Sequence, residues 1–138
     1  MKATKTAIAI ILGMALVSGI ACGSSSPSTT PTPTSHQFSV DASDNGGEAA
    51  LAVGDQLIVT LDSNATTGYS WNLSAISDTS VIAKISDEYI APTPSDPPLA
   101  GQGGQEVWTF EALDAGTATI SMQYIRPWES EPEPAETF

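Results

Sequence analysis

The sequence predicts an all-β fold, an antiparallel β-sandwich of about seven short strands. Apolar and polar residues alternate in several short segments, which is the pattern of strands that bury one face. Turn-forming clusters rich in Gly, Asn and Asp separate these segments every 8 to 12 residues or so, the spacing typical of a sandwich. Beyond the N-terminal leader no long window has a helical period, so helices are not expected.

The first residues are typical of an export signal. Lys2 and Lys5 give a basic start, and residues 7–21 are mostly apolar or small and carry no charge, as in signal peptides. This run is shorter than the ~20 residues that a membrane-spanning helix needs. We therefore expect residues 1–21 to be a signal peptide and the mature protein to be exported.

Cys22, the only cysteine, follows the apolar run directly. With Gly23 and the serines after it, Cys22 resembles the lipid attachment site of bacterial lipoproteins, where the cysteine becomes the new N-terminus. Gly19 stands where such signals usually have leucine, and it would also suit cleavage after Ala21 by an ordinary signal peptidase. We expect a lipid anchor on Cys22 that holds the protein to a membrane at the cell surface or in the periplasm. A secreted chain without lipid is the alternative.

Residues 22–36 are a predicted linker. Ser, Thr and Pro make up residues 24–35, with no side chain able to enter a core, and such a composition favours an extended, solvated chain. Residues 37–138 remain for folding, which is enough for one small domain.

Charge excludes one class of partner. Without the leader, Lys84 and Arg126 are the only Lys or Arg residues against 16 acidic ones. Such a chain cannot neutralise a phosphate backbone, so nucleic acid is excluded as a partner. The acidity is explained by the solubility of an exported protein; the alternative is that it favours encounter with a basic target.

The strand predictions depend on the alternation of apolar residues. The clearest case has Ala118, Ile120, Met122 and Tyr124 on one face and hydroxyl or amide side chains on the other. Trp71 and Trp108 lie on such alternating segments and are expected in the core. The predicted strands are residues 37–41, 57–61, 69–73, 81–85, 108–112 and 117–124.

Three segments between predicted strands are poor strand sequence and are candidate binding loops, because binding residues are often carried on loops of a rigid scaffold. The first loop is Asn64–Tyr69 (N-A-T-T-G-Y), the second is Gly101–Gly104 (G-Q-G-G) and the third is Arg126–Trp128 (R-P-W). In the first loop Asn can turn the chain, the two Thr residues are stiff at χ1, and Gly permits a positive φ. The pattern predicts a narrow, preorganised recognition surface.

The three loops, in this order, resemble those of chagasin-type inhibitors of papain-like cysteine proteases. Members of that family carry N-P-T-T-G-Y followed closely by Trp, then G-x-G-G, then R-P-W. The resemblance implies an immunoglobulin-like sandwich whose three loops lie side by side at one end, the first entering the protease cleft and the others gripping its walls. The protease-binding residues that it implies are Asn64, Thr66, Thr67, Gly68, Tyr69, Gly101, Gly103, Gly104, Arg126, Pro127 and Trp128.

The expected function is therefore reversible, competitive inhibition of papain-like cysteine proteases. A preorganised wedge can bind tightly without being cleaved, since it need not adopt the extended geometry of a substrate. An immunoglobulin-like module for surface adhesion or display is the alternative, and it gives no reason for Thr66, Gly103 and Trp128 to lie together. Trp128 is expected to be an exposed anchor. Arg126 is expected to bind a protease or, alternatively, to pair with a nearby glutamate.

Two features depart from the family pattern. Ala65 stands where proline is usual, which loosens the first loop by about 0.4–1 kcal/mol on the scale of Xaa-to-Pro effects. Family members also continue into a final strand, whereas this sequence stops at Phe138. We therefore expect the sandwich to lack its last strand, unless residues 37–40 compensate.

Catalytic chemistry has little support. His36 is the only histidine and falls in the linker, and Cys22 is at the anchor, so no catalytic Ser-His-Asp or Cys-His arrangement can be assembled. Residues 41–46 resemble the start of a calcium loop, but Ala52 occupies the place of the bidentate glutamate, so an Asn-Gly hairpin turn is favoured. No enzyme activity, metal or cofactor is expected.

Overall fold

The computed structural model describes residues 8–11, 35–94, 97 and 101–138. About half of the described residues lie in strands, and in the described part helix is limited to two 3-10 turns, Ala42–Asp44 and Ala65–Thr67. The strands are β1 (Ile8–Ile11), β2 (Gln37–Asp41), β3 (Glu48–Ala49), β4 (Gln56–Ser63), β5 (Ser70–Ile76), β6 (Ile82–Ile90), β7 (Gly104–Ala112), β8 (Thr117–Ile125) and β9 (Glu136–Thr137).

The strands form two sheets. One sheet has the order β2-β4-β7-β6, and the other has the order β3-β1-β8-β5 with β9 also paired to β8. This confirms the predicted all-β sandwich, and every predicted strand overlaps an observed one. The pairing is not wholly antiparallel as predicted, because β2 runs parallel to β4 and β1 runs parallel to β3. The chain visits the other sheet at β3 before it returns to the first, and that crossover brings it back in its original direction.

The core lies between the sheets and follows the alternation in the sequence. Trp71 and Trp108 are 6% and 5% exposed, as predicted for core residues. Each large apolar side chain buried in this way stabilises the fold by ~1.5–3 kcal/mol. The other buried apolar residues are Leu51, Leu57, Val59, Leu61, Val81, Ile82, Phe110, Ala112, Ala118, Ile120, Met122, Tyr124 and Phe138.

Two short segments pair with the edge of β8 that faces away from β5. β9 pairs antiparallel with β8, and Phe138 after it is buried, with its N–H donating to the carbonyl of Met122 at 2.9 Å. β1 continues the same line, because Ile8 lies opposite Ile120 on β8. Residues 37–40 do not compensate at this edge as suggested, since they belong to β2 in the other sheet.

In the uncleaved precursor, which still carries β1 within the predicted signal peptide, removing residues 1–34 is expected to lower the free energy of unfolding by about 2 kcal/mol. β1 pairs with β8 on one side and β3 on the other, and each lost hydrogen bond contributes ~0.5–1.5 kcal/mol. The loss also opens a sheet edge at Thr117–Ile120. Urea unfolding of the full chain and of residues 35–138 measures the difference. A chain that begins at Ala7 keeps β1 and is the control; equal stability of all three chains would contradict this role of β1.

The junction between linker and domain is fixed by a buried carboxylate. Asp55 accepts hydrogen bonds from the backbone N–H groups of His36 at 2.9 Å and Ala52 at 2.9 Å. These bonds, the one from His36 first, hold the pKa of Asp55 below its usual value. The predicted Asn-Gly hairpin turn is wrong, because β2 and β3 lie in different sheets. Residues 42–44 form a 3-10 turn instead, in which Asp41 accepts from the N–H of Ser43.

Several expectations fall outside the described residues. Cys22, the predicted lipidation site, is one of them, and so are residues 1–7 and 12–34 of the predicted leader and linker. Within the described ranges no helix has the length and apolar character needed to cross a membrane.

Candidate protease-binding loops

The first loop is a single tight turn between β4 and β5. Its 3-10 turn, Ala65–Thr67, ends at Gly68, whose φ of +79° and ψ of 1° are left-handed. The N–H of Gly68 donates to the carbonyl of Ala65 at 3.3 Å. This backbone conformation is unfavourable for a residue with a Cβ, so the shape of the loop requires glycine here.

Asn64 organises the first loop with its side chain and backbone. Its Oδ1 accepts hydrogen bonds from the N–H and Oγ1 of Thr66, at 3.1 and 2.7 Å. Its carbonyl accepts from the N–H and Oγ1 of Thr67, at 3.0 and 2.7 Å. The two threonines therefore hold the turn closed, in addition to being stiff at χ1.

The second loop packs beside the first through Asn64. The Nδ2 of Asn64 donates to the carbonyl of Gly101 at 2.9 Å. At Gly103 an added Cβ would lie 3.2 Å from the carbonyl oxygen of Ser63, so a side chain there would press on the base of the first loop. Gly104 was predicted as loop but begins β7, and an added Cβ would overlap the carbonyl oxygen of Ile90. Its glycine is required by strand pairing.

The third loop covers the other side of the first. Trp128 is 66% exposed, and its ring lies so close to Gly68 that a Cβ on that glycine would overlap ring atoms Cη2 and Cζ2. Pro127 is exposed in the turn closed by a 3.1 Å hydrogen bond from the N–H of Glu129 to the carbonyl of Arg126. This confirms that Trp128 is exposed, as the sequence predicts.

Arg126 contacts two side chains of its own chain in this structure. Its guanidinium lies 4.5 Å from the ring centroid of Tyr69, and its NH1 lies 3.4 Å from Oε1 of Glu129. Both partners of this ion pair are partly exposed, so the pair contributes little to stability. The alternative in which Arg126 pairs with a nearby glutamate is therefore the arrangement observed, and it leaves the guanidinium accessible to a partner.

Aromatic rings support the first loop from below. Tyr69 stacks on Tyr124 with centroids 5.3 Å apart, and Trp71 contacts the same ring at 5.2 Å. The hydroxyl of Tyr124 also accepts a hydrogen bond from the N–H of Asn64 at 2.8 Å. Tyr69, predicted to bind a protease, is half-buried and serves at least in part as a support for the loop.

Tyr124→Phe is expected to destabilise the fold by about 1 kcal/mol, because it leaves the N–H of Asn64 without its acceptor. The ring stack should survive, so the change isolates one hydrogen bond. Urea unfolding measures the loss. Tyr89→Phe is the control, since Tyr89 is 41% exposed on the edge strand β6. Equal stabilities of the wild type and Tyr124→Phe would show that this bond contributes nothing.

The three loops form one exposed surface around the tip of the first loop. Ala65, Thr66 and Thr67 are exposed at the tip of the first loop, between the second loop and Trp128. The described residues hold no cluster of three His, Cys, Asp or Glu side chains suited to a metal ion. A braced, exposed tip of this kind is suited to insertion into a cleft.

Sequence reasoning missed two residues at the base of the loops. Tyr124 was placed in the core by its alternation, but nothing in the pattern indicated that its hydroxyl contacts Asn64. Glu106 was not considered, although its carboxylate accepts hydrogen bonds from Ser63 Oγ at 2.7 Å and from the N–H of Trp71 at 3.0 Å. The available signal was an acidic residue in phase with the buried residues Trp108 and Phe110 of β7.

Comparison with known proteins agrees with this geometry. The sequence profile described as chagasin family peptidase inhibitor matches residues 50–138. Chagasin from Trypanosoma cruzi is 31% identical over 97 residues, which are 68% of this chain and 86% of chagasin. Amoebiasin-2 from Entamoeba histolytica is 31% identical over 88 residues, or 64% of this chain and 69% of amoebiasin-2.

A solved structure has the same fold. The crystal structure of a cysteine protease inhibitor from Entamoeba histolytica superposes with a TM-score of 0.66 at 24% identity. The match covers 78% of this chain and 94% of that inhibitor.

Proposed function

Because the chain belongs to the chagasin family of peptidase inhibitors, we propose that it is a reversible, competitive inhibitor of papain-like cysteine proteases. Its relatives are inhibitors of cysteine proteases and not enzymes, and the chain has the same role. The finer points of the proposal are the class of target protease, the competitive mode and the binding residues.

One structural observation supports the proposed mode of binding. Asn64 in the first loop hydrogen-bonds Gly101 in the second, while Gly68 at the other end of the first loop lies against Trp128 in the third. The first loop is thus braced from both sides and projects its tip between its neighbours. An adhesion module would not need this convergence, so the arrangement favours the inhibitor.

The loop would act as a wedge that resists cleavage. A protease presents its nucleophile to a peptide in extended conformation, whereas residues 65–67 form a 3-10 turn that ends at a left-handed glycine. The carbonyls of Asn64 and Ala65 already accept hydrogen bonds inside the loop. Binding is favoured because the loop has little conformational freedom left to lose. Cleavage is disfavoured because the turn does not have the extended conformation that the transition state of hydrolysis requires.

Steady-state kinetics with papain test the proposal. The folded protein is expected to raise the apparent KM for a peptide substrate without changing kcat, with a Ki below about 1 µM, a binding free energy of about 8 kcal/mol. The inhibitor should be recovered uncleaved, and a serine protease assayed in parallel should be unaffected. A folded protein that leaves papain fully active at that concentration would refute the proposal.

We also propose that the mature protein is a lipoprotein anchored through Cys22. The support is the basic start, the apolar run and the Cys-Gly-Ser sequence after it. Cells given radiolabelled palmitate should label the wild-type protein and not the Cys22→Ala variant. Recovery of unlabelled wild-type protein entirely in the medium would instead assign it to secretion.

A further inference from the structure

We propose that Glu106 is a positioning residue for the inhibitory site, holding the two ends of the first loop together. The expected effect of Glu106 on protease binding rests on the proposed function. Its effect on the shape of the first loop rests on the hydrogen bonds of Glu106 alone. Glu106 is not part of the three loops and does not lie at the exposed tip. It acts through the shape of the loop.

The position of Glu106 within β7 is unusual for a charged residue. In β7 Trp108, Phe110 and Ala112 are buried, and Glu106 is in phase with them at the end of the strand next to the loops. A carboxylate on the inward side of a sandwich is costly unless hydrogen bonds compensate it. The structure supplies two such bonds, and both come from the flanks of the first loop.

A single oxygen of Glu106 joins the two flanks. Its Oε1 accepts from Oγ of Ser63, the last residue of β4, at 2.7 Å, and from the N–H of Trp71, the second residue of β5, at 3.0 Å. β4 and β7 belong to one sheet and β5 to the other. The carboxylate therefore ties the sheets together at the point where the chain leaves one for the other through the first loop.

Two neighbouring contacts indicate that these hydrogen bonds of Glu106 are specific. Ser63 is one of two buried polar residues in the described part of the chain, and Glu106 is the partner of its hydroxyl. The indole Nε1 of Trp71 donates to the carbonyl of Asp62 at 2.9 Å, a second link across the same gap. Because both flanks are fixed, the residues between them already have the bound conformation in the free protein. Less conformational entropy is therefore lost on binding.

Glu106→Ala is expected to raise the Ki for papain on the order of tenfold, since hydrogen bonds to a charged acceptor are lost at both flanks. Glu106→Gln keeps an acceptor oxygen at the same place and should stay within about threefold of the wild type. Glu111→Ala is the matched control on the same strand, because Glu111 is out of phase with Glu106 and five residues farther from the loops. It should leave Ki unchanged.

Amide hydrogen exchange separates positioning from a general loss of stability. In Glu106→Ala, exchange should speed up at Trp71 and within residues 64–70, while the N–H of Met122, bonded to Phe138 in the core, keeps its protection. Uniform acceleration at all these amides, or an unchanged loop, would overturn the proposal, as would a Ki equal to that of the wild type. If the wild-type protein itself does not inhibit, the proposed function fails, and the exchange comparison still decides whether Glu106 holds the loop.

Discussion

Gly68→Ala is expected to raise the Ki for papain about 100-fold, because the substitution damages the first and third loops together. The left-handed φ of +79° disfavours an alanine by ~1–2 kcal/mol. The new Cβ would also overlap the ring of Trp128 and displace it, and displacing an aromatic anchor costs at least about 2 kcal/mol of binding free energy. Together the two effects are worth about 3 kcal/mol, or 100-fold in affinity.

Gly54→Ala is the matched control for this experiment. Gly54 has a φ of +90°, so alanine is strained there too, but an added Cβ would have no atom within 4 Å. Gly54 precedes β4 and is separated from the first loop by the length of that strand, about 25 Å. The Gly54→Ala variant should have a lower free energy of unfolding than the wild type and the same Ki for papain. Equal loss of inhibition by both variants, or full inhibition by Gly68→Ala, would contradict the proposal that the first loop acts as a wedge.

Trp128→Ala is expected to weaken binding by about 2 kcal/mol, which is near 30-fold, mainly through faster dissociation. The indole is 66% exposed in the free protein, so removing it should change the free energy of unfolding little. Loss of affinity without loss of stability is the signature of an interface anchor. Surface-based binding kinetics with papain and urea unfolding measure the two quantities.

The control for Trp128 is another exposed aromatic residue. Phe38 is 39% exposed on β2, where it pairs with Leu57 near the end of β4 that is remote from the loops. Phe38→Ala should keep the dissociation rate of the wild type. If Trp128→Ala dissociates no faster than the wild-type protein, Trp128 is not an anchor and the third loop has another purpose.

Much of the sandwich was predictable because its strands bury one face. The alternation of Ala118, Ile120, Met122 and Tyr124 specifies both the strand and its inward side. The first loop was predictable for a similar local reason, since Asn64 and Gly68 have conformational preferences that act within a few residues.

Pairing between distant strands was not predictable from these local patterns. The alternation in residues 37–41 indicates a strand but not its parallel partner β4, and the two residues of β9 are too few to show a period. β1 lies in a segment whose composition indicates a signal peptide, so its pairing with β8 had no signal of its own. In each case the deciding factor is which sheet edge remains free after the other strands have paired.

The supports beneath the loops were missed for a different physical reason. Glu106 and Tyr124 act through single polar atoms that reach across from other strands. A hydropathy pattern records which way a side chain points but not which donor it meets. The inward phase of Glu106 was the one visible sign, because a charge on the buried side of a strand requires partners.

Hydrogen exchange of the protein in complex with papain tests the central claim most directly. If the three loops together enter and flank the cleft, amides in residues 64–69 and 101–104 and those of Arg126 and Trp128 should all gain protection on binding. The turns at residues 53–55 and 113–116, at the opposite end of the sandwich, should exchange as in the free protein. Protection at those turns or along the edge strand β6, with none in the three loops, would contradict the account.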